Sequence, residues 1–409
     1  MAGHTRELHE IRLDLCRRAV VHARAGTTDL APGTMYNDVS VYTDPARLEL
    51  ETQKLFRGLP QVVCLSSELS DPGSFRTFDD LGVPMFVTRG TDGQVRAFLN
   101  ICPHRGARLV REAEGCARRH TCRFHGWSFD AQGRAGAVPQ EKHFCGPLAR
   151  HKQLIECPAA ERHGLVFVQA TPGGTMDLDG HLGTFAPMLE LLDLDVARRV
   201  ADETLVTSCN WKYALDTYFE NYHFAVLHRN SLGPITLHGT MLHDTWGPHH
   251  RVVFPPRETR EWADKPESEW LVDTFGSPYF VFPNTIIFVG SLRPDLSYVT
   301  KFSLYPQGVG GLLTRMSIYS PTGEISDAVR AEVQEAFRNI VALVQYEDYD
   351  VTGESWTNFL AMPPGSRVVY GRQELAVQHA HRWFARKLGV PEPDVVPAEA
   401  PVPEVRLRA

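Results

Sequence analysis

The chain lacks the features that would tie it to a membrane, to secretion or to nucleic acid. No apolar run approaches the ~20 residues of a membrane-spanning helix. The N-terminus, Met1 to Glu7, has neither the basic start nor the apolar core of a signal peptide. Positive charge is also scarce: the formal net charge is −7, which argues against a nucleic-acid partner.

The cysteines give no indication of a disulfide framework. Six of the eight show no framework spacing, and these are Cys16, Cys64, Cys116, Cys145, Cys157 and Cys209. Free thiols persist in a reducing compartment. The sequence therefore predicts a cytoplasmic protein with neither a membrane nor a nucleic acid as partner.

The length of the chain and its linker-like segments predict several domains. A chain of 409 residues is long enough for two or three domains. Short apolar or alternating runs predict a small antiparallel β-domain over residues 41–170, after an N-terminal helical arm over 1–40. A Thr-Pro-Gly-Gly-Thr linker then opens a second domain over 171–390, and residues 391–409 are predicted to form a flexible tail rich in proline and acid.

Two short loops of the first domain each carry one cysteine and one histidine. The first holds Cys102 and His104, and after seventeen further residues the second holds Cys122 and His125. A Rieske [2Fe–2S] centre needs this set, with two thiolates on one iron and two imidazoles on the other. A Cys2His2 zinc site is the alternative, but zinc knuckles usually begin with Cys-x2–4-Cys or place both histidines on one helix. The pattern therefore favours the [2Fe–2S] cluster.

The second domain carries a Glu-x-x-His-x4-His motif on a stretch that is predicted to be helical over residues 213–229. Its members are Glu220, His223 and His228. Two imidazoles and a carboxylate form the facial triad of non-heme Fe(II) oxygenases. Five residues turn an ideal helix by about 500°, so the two histidines lie about 140° apart. Both reach one metal only if the helix breaks or bulges between them, and two histidines in the core or at the surface remain the alternative.

The third ligand is expected on a later helix, predicted over residues 326–355. Extending the apolar face of this helix by four residues places Asp348 on the inward side, whereas Asp350 points about 200° away from it. An inward carboxylate is costly unless a charge or a metal meets it. Asp348 is therefore the preferred ligand and Asp350 the reserve, and a solvated acid pair at a helix end remains open.

Taken together, the paired loops, Asn210-Trp211-Lys212 and the Glu-x-x-His-x4-His motif resemble one known family. The similarity is to the α (terminal oxygenase) subunit of Rieske non-heme iron oxygenases, of the aromatic ring-hydroxylating dioxygenase type, and runs from Tyr42 to about Leu388. It implies an α+β fold. A small antiparallel β Rieske domain would be followed by a helix-grip (START-like) catalytic domain, whose antiparallel sheet packs on the long C-terminal helix. Strands of that sheet are expected over 281–289, 299–305 and 312–319.

The resemblance also implies roles and partners. The cofactors would be a [2Fe–2S] cluster and Fe(II), with electrons from a ferredoxin or flavin reductase. Glu220 matches the acid that bridges the iron ligand His223 to a cluster histidine, His104, across a head-to-tail homotrimer. An α3β3 assembly, which includes a β subunit, is the alternative. The subunit would activate O2 and hydroxylate a small organic substrate, most readily an aromatic one, by mono- or dioxygenation.

Other functions remain open from the sequence. Glu220 stands where many ring-dihydroxylating members carry Asp, and this resembles members that oxidise quaternary amines. Oxidative N- or O-demethylation is therefore the alternative within the family. Outside it, an electron carrier with a degenerate second site and a zinc-stabilised binding protein remain, and the iron content and colour of the protein would separate them.

Overall fold

The computed structural model describes residues 2–146, 148–272, 276–293 and 295–398. The helices within these ranges are α1 (Ala2–Ala25), α2 (Ser40–Thr43), α3 (Pro45–Glu51), α4 (Leu178–Leu182), α5 (Ala186–Glu190), α6 (Trp211–Asp216), α7 (Thr259–Trp262), α8 (Asp327–Leu343), α9 (Tyr349–Phe359) and α10 (Leu375–Leu388). Among these helices, none has the length and hydropathy that crossing a bilayer requires.

Strands of the first half form three small sheets, all antiparallel. They are β1 (Gly33–Asp38), β2 (Gln61–Leu65), β3 (Ser74–Phe78), β4 (Met85–Arg89), β5 (Val95–Leu99), β6 (Glu114–Cys116), β7 (Arg119–Thr121), β8 (Ser128–Asp130), β9 (Ala135–Ala137), β10 (Glu156–Cys157), β11 (Ala159–Arg162) and β12 (Leu165–Val168). The sheet orders are β10-β5-β4-β3-β6, β11-β12-β2 and β7-β8-β9, with β1 in a separate sheet.

A seven-stranded antiparallel sheet dominates the second half. Its strands, and two that lie outside it, are β13 (Arg198–Thr207), β14 (Leu242–Trp246), β15 (His249–Val253), β16 (Ser277–Val281), β17 (Thr285–Arg293), β18 (Leu296–Pro306), β19 (Leu312–Ser320), β20 (Arg367–Tyr370) and β21 (Asp394–Pro397). The order is β13-β19-β18-β17-β16-β15-β14. Val333 and Phe337 of α8 share a buried core with Met316 and Ile318 of β19. The predicted helix-grip arrangement, a sheet packed on a long helix, is confirmed.

Strand β18 presents different residues to the two faces of this sheet. One face of the strand borders an internal cavity and carries every second residue, namely Tyr298, Thr300 and Phe302. Lys301 points to the opposite face, where it is buried and its Nζ donates a hydrogen bond to Ser303 Oγ at 3.3 Å. Its neighbours β17 and β19 pair with it over most of its length. The register of β18 therefore decides which side chains reach the cavity.

Two predictions from the sequence are wrong in this half of the chain. The strand expected over 281–289 is two strands, because the chain turns at Phe282–Asn284 between β16 and β17. Pro283 lacks the N–H that a central strand needs. The tail expected over 391–409 contains β21, which pairs with β1 inside the predicted N-terminal arm. Val395 and Val396 give β21 its strand propensity, and residues 399–409 lie outside the described ranges.

Candidate metal centres and an adjoining cavity

The two Cys-His loops have the same backbone conformation. In the first, Gly106 N donates a hydrogen bond to Cys102 O at 2.9 Å, and in the second Gly126 N donates to Cys122 O at 2.9 Å. Both glycines lie in the left-handed region, with φ of +76° and +73°, where a side chain is strained. Each loop therefore folds back tightly and presents one thiol and one imidazole at its tip.

The side chains of the two loops converge on one place. Cys102 and Cys122 are buried, and the ring centroids of His104 and His125 lie 4.6 Å apart. His104 stacks on Trp127, with centroids 4.9 Å apart and planes 1° from parallel. Within the described residues, His125 Nδ1 is buried and has no hydrogen-bond partner. Buried imidazole nitrogens are ordinarily paired, so an unpaired one beside two thiols fits a metal ligand.

The segment that carries Glu220 and the two histidines is not the predicted helix. Helix α6 ends at Asp216, a 3₁₀ turn follows over Thr217–Phe219, and Glu220 is extended, with φ −148° and ψ 160°. Asn221 then donates a side-chain hydrogen bond to Thr240 O at 2.7 Å. The helix predicted over 213–229 is therefore wrong beyond Asp216. Residues 222–235, which include both histidines, form turns instead of a helix, so the 140° separation of a regular helix does not apply.

His223, His228 and Asp348 form one cluster. His223 Nε2 lies 3.4 Å and His228 Nε2 lies 3.2 Å from Asp348 Oδ1. One ligand atom from each of the three residues lies within 4.8 Å of the others. Among the described residues, His223 Nε2 and Asp348 Oδ1 lack a partner in hydrogen-bond geometry. Two imidazoles and a carboxylate that turn unpaired atoms toward one point fit the ligand set of a mononuclear iron.

Helix irregularity brings Asp348 to this cluster. A π-helical turn over Val344–Asp348 separates α8 from α9, and such turns occur often at functional sites. Asp348 is buried, whereas Asp350 is exposed. Burial opposes ionisation of Asp348, but its contacts with His223 and His228 outweigh burial and lower the pKa of the carboxyl. The carboxyl is thus an anion at neutral pH, as metal binding requires.

Two further carboxylates orient the histidines. Glu220 Oε1 contacts His223 Nδ1. Glu347 Oε2 lies 2.7 Å from His228 Nδ1 and accepts a hydrogen bond from Ser231 Oγ at 2.8 Å. Each contact leaves Nε2 of the ring free to face Asp348, which is the role of outer-shell carboxylates at metal centres. The sequence analysis missed Glu347; the only signal was its position next to Asp348.

A cavity of about 330 Å³ adjoins the cluster and touches His228 and Asp348. Its walls carry six aromatic side chains, namely Tyr218, Phe224, Phe254, Phe288, Tyr298 and Phe302. Among the described lining residues there is no lysine or arginine, and Asp348 is the only acid. Ligand sites are typically apolar with few polar groups, so the cavity suits an uncharged organic molecule.

Comparisons with known proteins agree with this architecture. A model of the Rieske [2Fe–2S] domain matches residues 60–159, and a model of the ring hydroxylating alpha subunit catalytic domain matches residues 194–390. The carnitine monooxygenase oxygenase subunit of Escherichia coli K12 is 25% identical over 300 residues, covering 72% of this chain and 77% of that protein. The biphenyl dioxygenase subunit alpha of Paraburkholderia xenovorans is 26% identical over 381 residues, covering 81% of this chain and 80% of that protein.

Solved structures share the fold. A quaternary ammonium Rieske monooxygenase in complex with L-carnitine has a TM-score of 0.72 at 21% identity, over 88% of this chain and 96% of that chain. Naphthalene 1,2-dioxygenase from Rhodococcus sp., bound to indole, has a TM-score of 0.68 at 16% identity, over 93% of this chain and 98% of that chain.

Fold and comparisons together define an iron-dependent oxygenase, in which a Rieske [2Fe–2S] domain is joined to a catalytic domain for mononuclear non-heme iron. Such enzymes are oxidoreductases that incorporate O2 and take electrons from a reductase or ferredoxin. The chain belongs to the Rieske oxygenases, as an α (terminal oxygenase) subunit. The predicted class, cofactors and enzymatic activity are confirmed.

Proposed function

We propose that seven side chains hold the two iron cofactors. The [2Fe–2S] ligands are Cys102, His104, Cys122 and His125, and the ligands of the mononuclear iron are His223, His228 and Asp348. This assignment is supported by the convergence of the side chains within each set and by the unpaired atoms of His125, His223 and Asp348. When bound, the cluster supplies electrons and the ferrous ion supplies O2 activation.

The protein is proposed to work as a homotrimer in which Glu220 connects neighbouring subunits. Exposed apolar side chains near both metal sites support this arrangement. Tyr222 and Val226, beside Glu220, are 69% and 78% exposed, and Phe124, beside His125, is 54% exposed. Large exposed apolar groups are typical of interaction surfaces. Sedimentation of the purified holoenzyme at micromolar concentration tests this, because a monomer would contradict it and a larger particle containing a second chain would indicate a β subunit.

The electron donor is proposed to be an acidic ferredoxin or a flavin reductase that docks near the cluster loops. Arg105, Arg111, Arg118 and Arg123 are all exposed in this region. The guanidinium of Arg105 lies 5.3 Å from the ring centroid of Phe124. Opposite charge accelerates encounter, and salt weakens the effect. A reduction rate that does not change with ionic strength would contradict this docking surface. A cytoplasmic location is supported by the cysteines, because none of the eight forms a disulfide in the structure.

The substrate is proposed to be an uncharged aromatic compound that the enzyme hydroxylates. One observation carries this proposal: the cavity beside His228 and Asp348 has aromatic walls and no cationic side chain among its described lining residues. Demethylation of a quaternary amine is the second candidate, because aromatic rings also bind ammonium groups and Glu220 matches that group of relatives. A zwitterion such as carnitine, however, would find no cation for its carboxylate in this cavity.

A substrate screen separates the two candidates. The reconstituted holoenzyme is supplied with a surrogate ferredoxin and reductase, and O2 uptake, hydroxylated product and formaldehyde are measured together. Naphthalene and indole serve as aromatic probes, and carnitine and choline as quaternary amines. Ring hydroxylation coupled to O2 uptake supports the aromatic proposal. Release of formaldehyde from the amines, without hydroxylation of naphthalene or indole, would contradict the aromatic proposal and favour demethylation.

A further inference from the structure

The cavity beside the mononuclear site contains one buried hydroxyl that the protein leaves unpaired. Thr300 is only 1% exposed, and its Oγ1 has no hydrogen-bond partner among the described residues. Thr300 lines the same cavity as His228 and Asp348. Buried hydroxyls are normally hydrogen-bonded, so an unpaired one at a binding surface requires an explanation.

Other hydroxyls on the cavity wall are used within the protein. Thr217 Oγ1 donates to Ala214 O at 2.9 Å, and Thr236 Oγ1 donates to Leu232 O at 2.9 Å. The hydroxyls of Tyr218 and Tyr349 lie 3.1 Å apart, as do those of Ser291 and Ser297. Thr300 therefore differs from these neighbours, because it offers a donor and an acceptor that no protein group takes.

The position of Thr300 in the sheet places its side chain on the cavity face. Thr300 pairs with Phe288 of β17 and with Ile318 of β19, so its backbone lies inside the ladder. The alternation of β18 places Thr300 between Tyr298 and Phe302 on the cavity face. A β-branched side chain in a central strand has little rotational freedom. The side chain that carries the hydroxyl is thus held among aromatic neighbours by a rigid strand.

We propose that Thr300 is a specificity-determining residue, whose hydroxyl hydrogen-bonds one neutral oxygen-bearing group on an otherwise apolar substrate. The inference rests on the proposed function, because it assumes that the substrate occupies this cavity. A ligand with a matching hydroxyl, ether or carbonyl satisfies Thr300. A purely apolar ligand of the same shape leaves it unpaired, and sites built in this way discriminate against the analogue that lacks the group.

Binding of matched ligand pairs to the holoenzyme tests the proposal. The probes are 1- and 2-naphthol, each compared with the methylnaphthalene of the same shape, and the readout is the dissociation constant from equilibrium dialysis without reductant. Wild type is expected to bind at least one naphthol about tenfold more tightly than its methyl counterpart, the size of one typical net hydrogen bond. Thr300→Val should reduce this ratio to about one, whereas Thr300→Ser should retain a preference.

The matched control is Thr88→Val in β4, which removes a buried, unpaired strand hydroxyl outside the cavity and should keep the wild-type ratio. An unchanged ratio in Thr300→Val, or no preference in wild type, would overturn the inference while leaving the substrate cavity in place. If neither the naphthols nor the methylnaphthalenes bind, the proposed aromatic function fails and this inference fails with it. Thr300→Val keeps a β-branched side chain of similar size, so the strand should fold as before.

Discussion

His228 and Glu347 are joined by a 2.7 Å contact between Nδ1 and Oε2, on the side of the imidazole opposite its contact with Asp348. Removing such an outer-shell carboxylate typically weakens metal affinity about 10–100-fold. Glu347→Ala is expected to release the mononuclear iron faster to a chelator, while the absorbance of the [2Fe–2S] cluster stays constant. The control is Asp350→Ala, three residues further along and exposed. Equal iron release from the two variants would contradict the role of Glu347.

The choice of Asp348 over Asp350 as the third ligand is directly testable. Asp348→Ala removes the only carboxylate that lies within 4 Å of both imidazoles among the described residues, so the purified protein should contain cluster iron but little mononuclear iron. Asp350→Ala should retain both. Metal analysis alongside the visible spectrum checks this, and the reverse result would make Asp350 the ligand.

Glu220 is expected to matter for electron delivery more than for metal retention. Its carboxylate contacts His223 Nδ1 and also accepts hydrogen bonds from the backbone N–H groups of Tyr222 and His223. Glu220→Gln should keep both metal contents and slow reoxidation of the reduced cluster about 10–100-fold in a single turnover with O2 and substrate. Tyr222→Leu, which keeps an apolar side chain at the exposed neighbouring position, is the control for local packing. Unchanged reoxidation in Glu220→Gln would contradict a bridging role.

A buried ion pair anchors α6, the helix that precedes the metal segment. Lys212 Nζ lies 2.8 Å from Glu51 Oε2, which also accepts from Trp211 Nε1 at 3.0 Å, and both charged side chains are buried. Glu51→Ala leaves a buried ammonium unpaired and is expected to destabilise the fold by about 3–5 kcal/mol.

The exposed pair Arg17–Glu267, with side chains 48% and 45% exposed, provides the comparison. Breaking it should cost little, because water and salt screen an exposed ion pair. Thermal melting of the holoenzymes should therefore rank Glu267→Ala close to wild type and Glu51→Ala well below it. The double variant Glu51→Met/Lys212→Met should recover part of the loss, because neither charge then remains unpaired. Equal melting temperatures for the two single variants would contradict this account.

Three buried histidines should make the fold sensitive to mild acid. The rings of His243, His250 and His379 lie 5.2–5.5 Å apart. Burial lowers the pKa of His243 to about 4 and of His379 to about 3, and it lowers the pKa of His250 well below the ordinary value. In the unfolded chain these groups titrate near 6.5. Below about pH 6.5 the unfolded state therefore binds more protons, and stability falls with pH down to about pH 4 for His243 and about pH 3 for His379.

Each such imidazole should cost about 2 kcal/mol between pH 6.5 and pH 5. His250→Phe removes one of them from an aromatic environment formed by Phe219 and Phe280. The variant should lose less stability than wild type when melting is compared at pH 7 and pH 5. Parallel losses in the two proteins would show that His250 does not contribute to the acid sensitivity.

Local spacing was enough to predict part of the candidate site. The Cys-x-His and Cys-x-x-His loops each lie within a few residues, so their conformation depends on nearby glycines rather than on distant contacts. The position of Asp44 before Pro45 likewise predicts a helix N-cap, and its side chain accepts a hydrogen bond from Ala46 N at 2.8 Å. The periodicity of α8 led to Asp348, which the structure brings to the two histidines.

Features that depend on tertiary contacts escaped prediction. The stretch after Asp216 contains no glycine or proline before Gly233, so nothing local shows that the helix ends there; the extended backbone of Glu220 and the hydrogen bond from Asn221 to Thr240 O are formed only in the folded protein. Glu347 could not be singled out because, in sequence, an acid on a helix is ordinary. The turn at Phe282–Asn284 did have a local signal in Pro283, but it was missed because the strands on both sides of it are apolar.

The alternation of side chains along β18 also decides whether a charged group reaches the cavity. Thr300 and Lys301 are adjacent in the chain but lie on opposite faces of the same sheet. Sliding the strand by one residue would exchange them, carrying an ammonium into the aromatic cavity beside the proposed iron site. The pairing of β18 with β17 and β19 therefore keeps the ammonium of Lys301 out of the cavity, because it fixes the register of the strand. No separate side chain is needed for this.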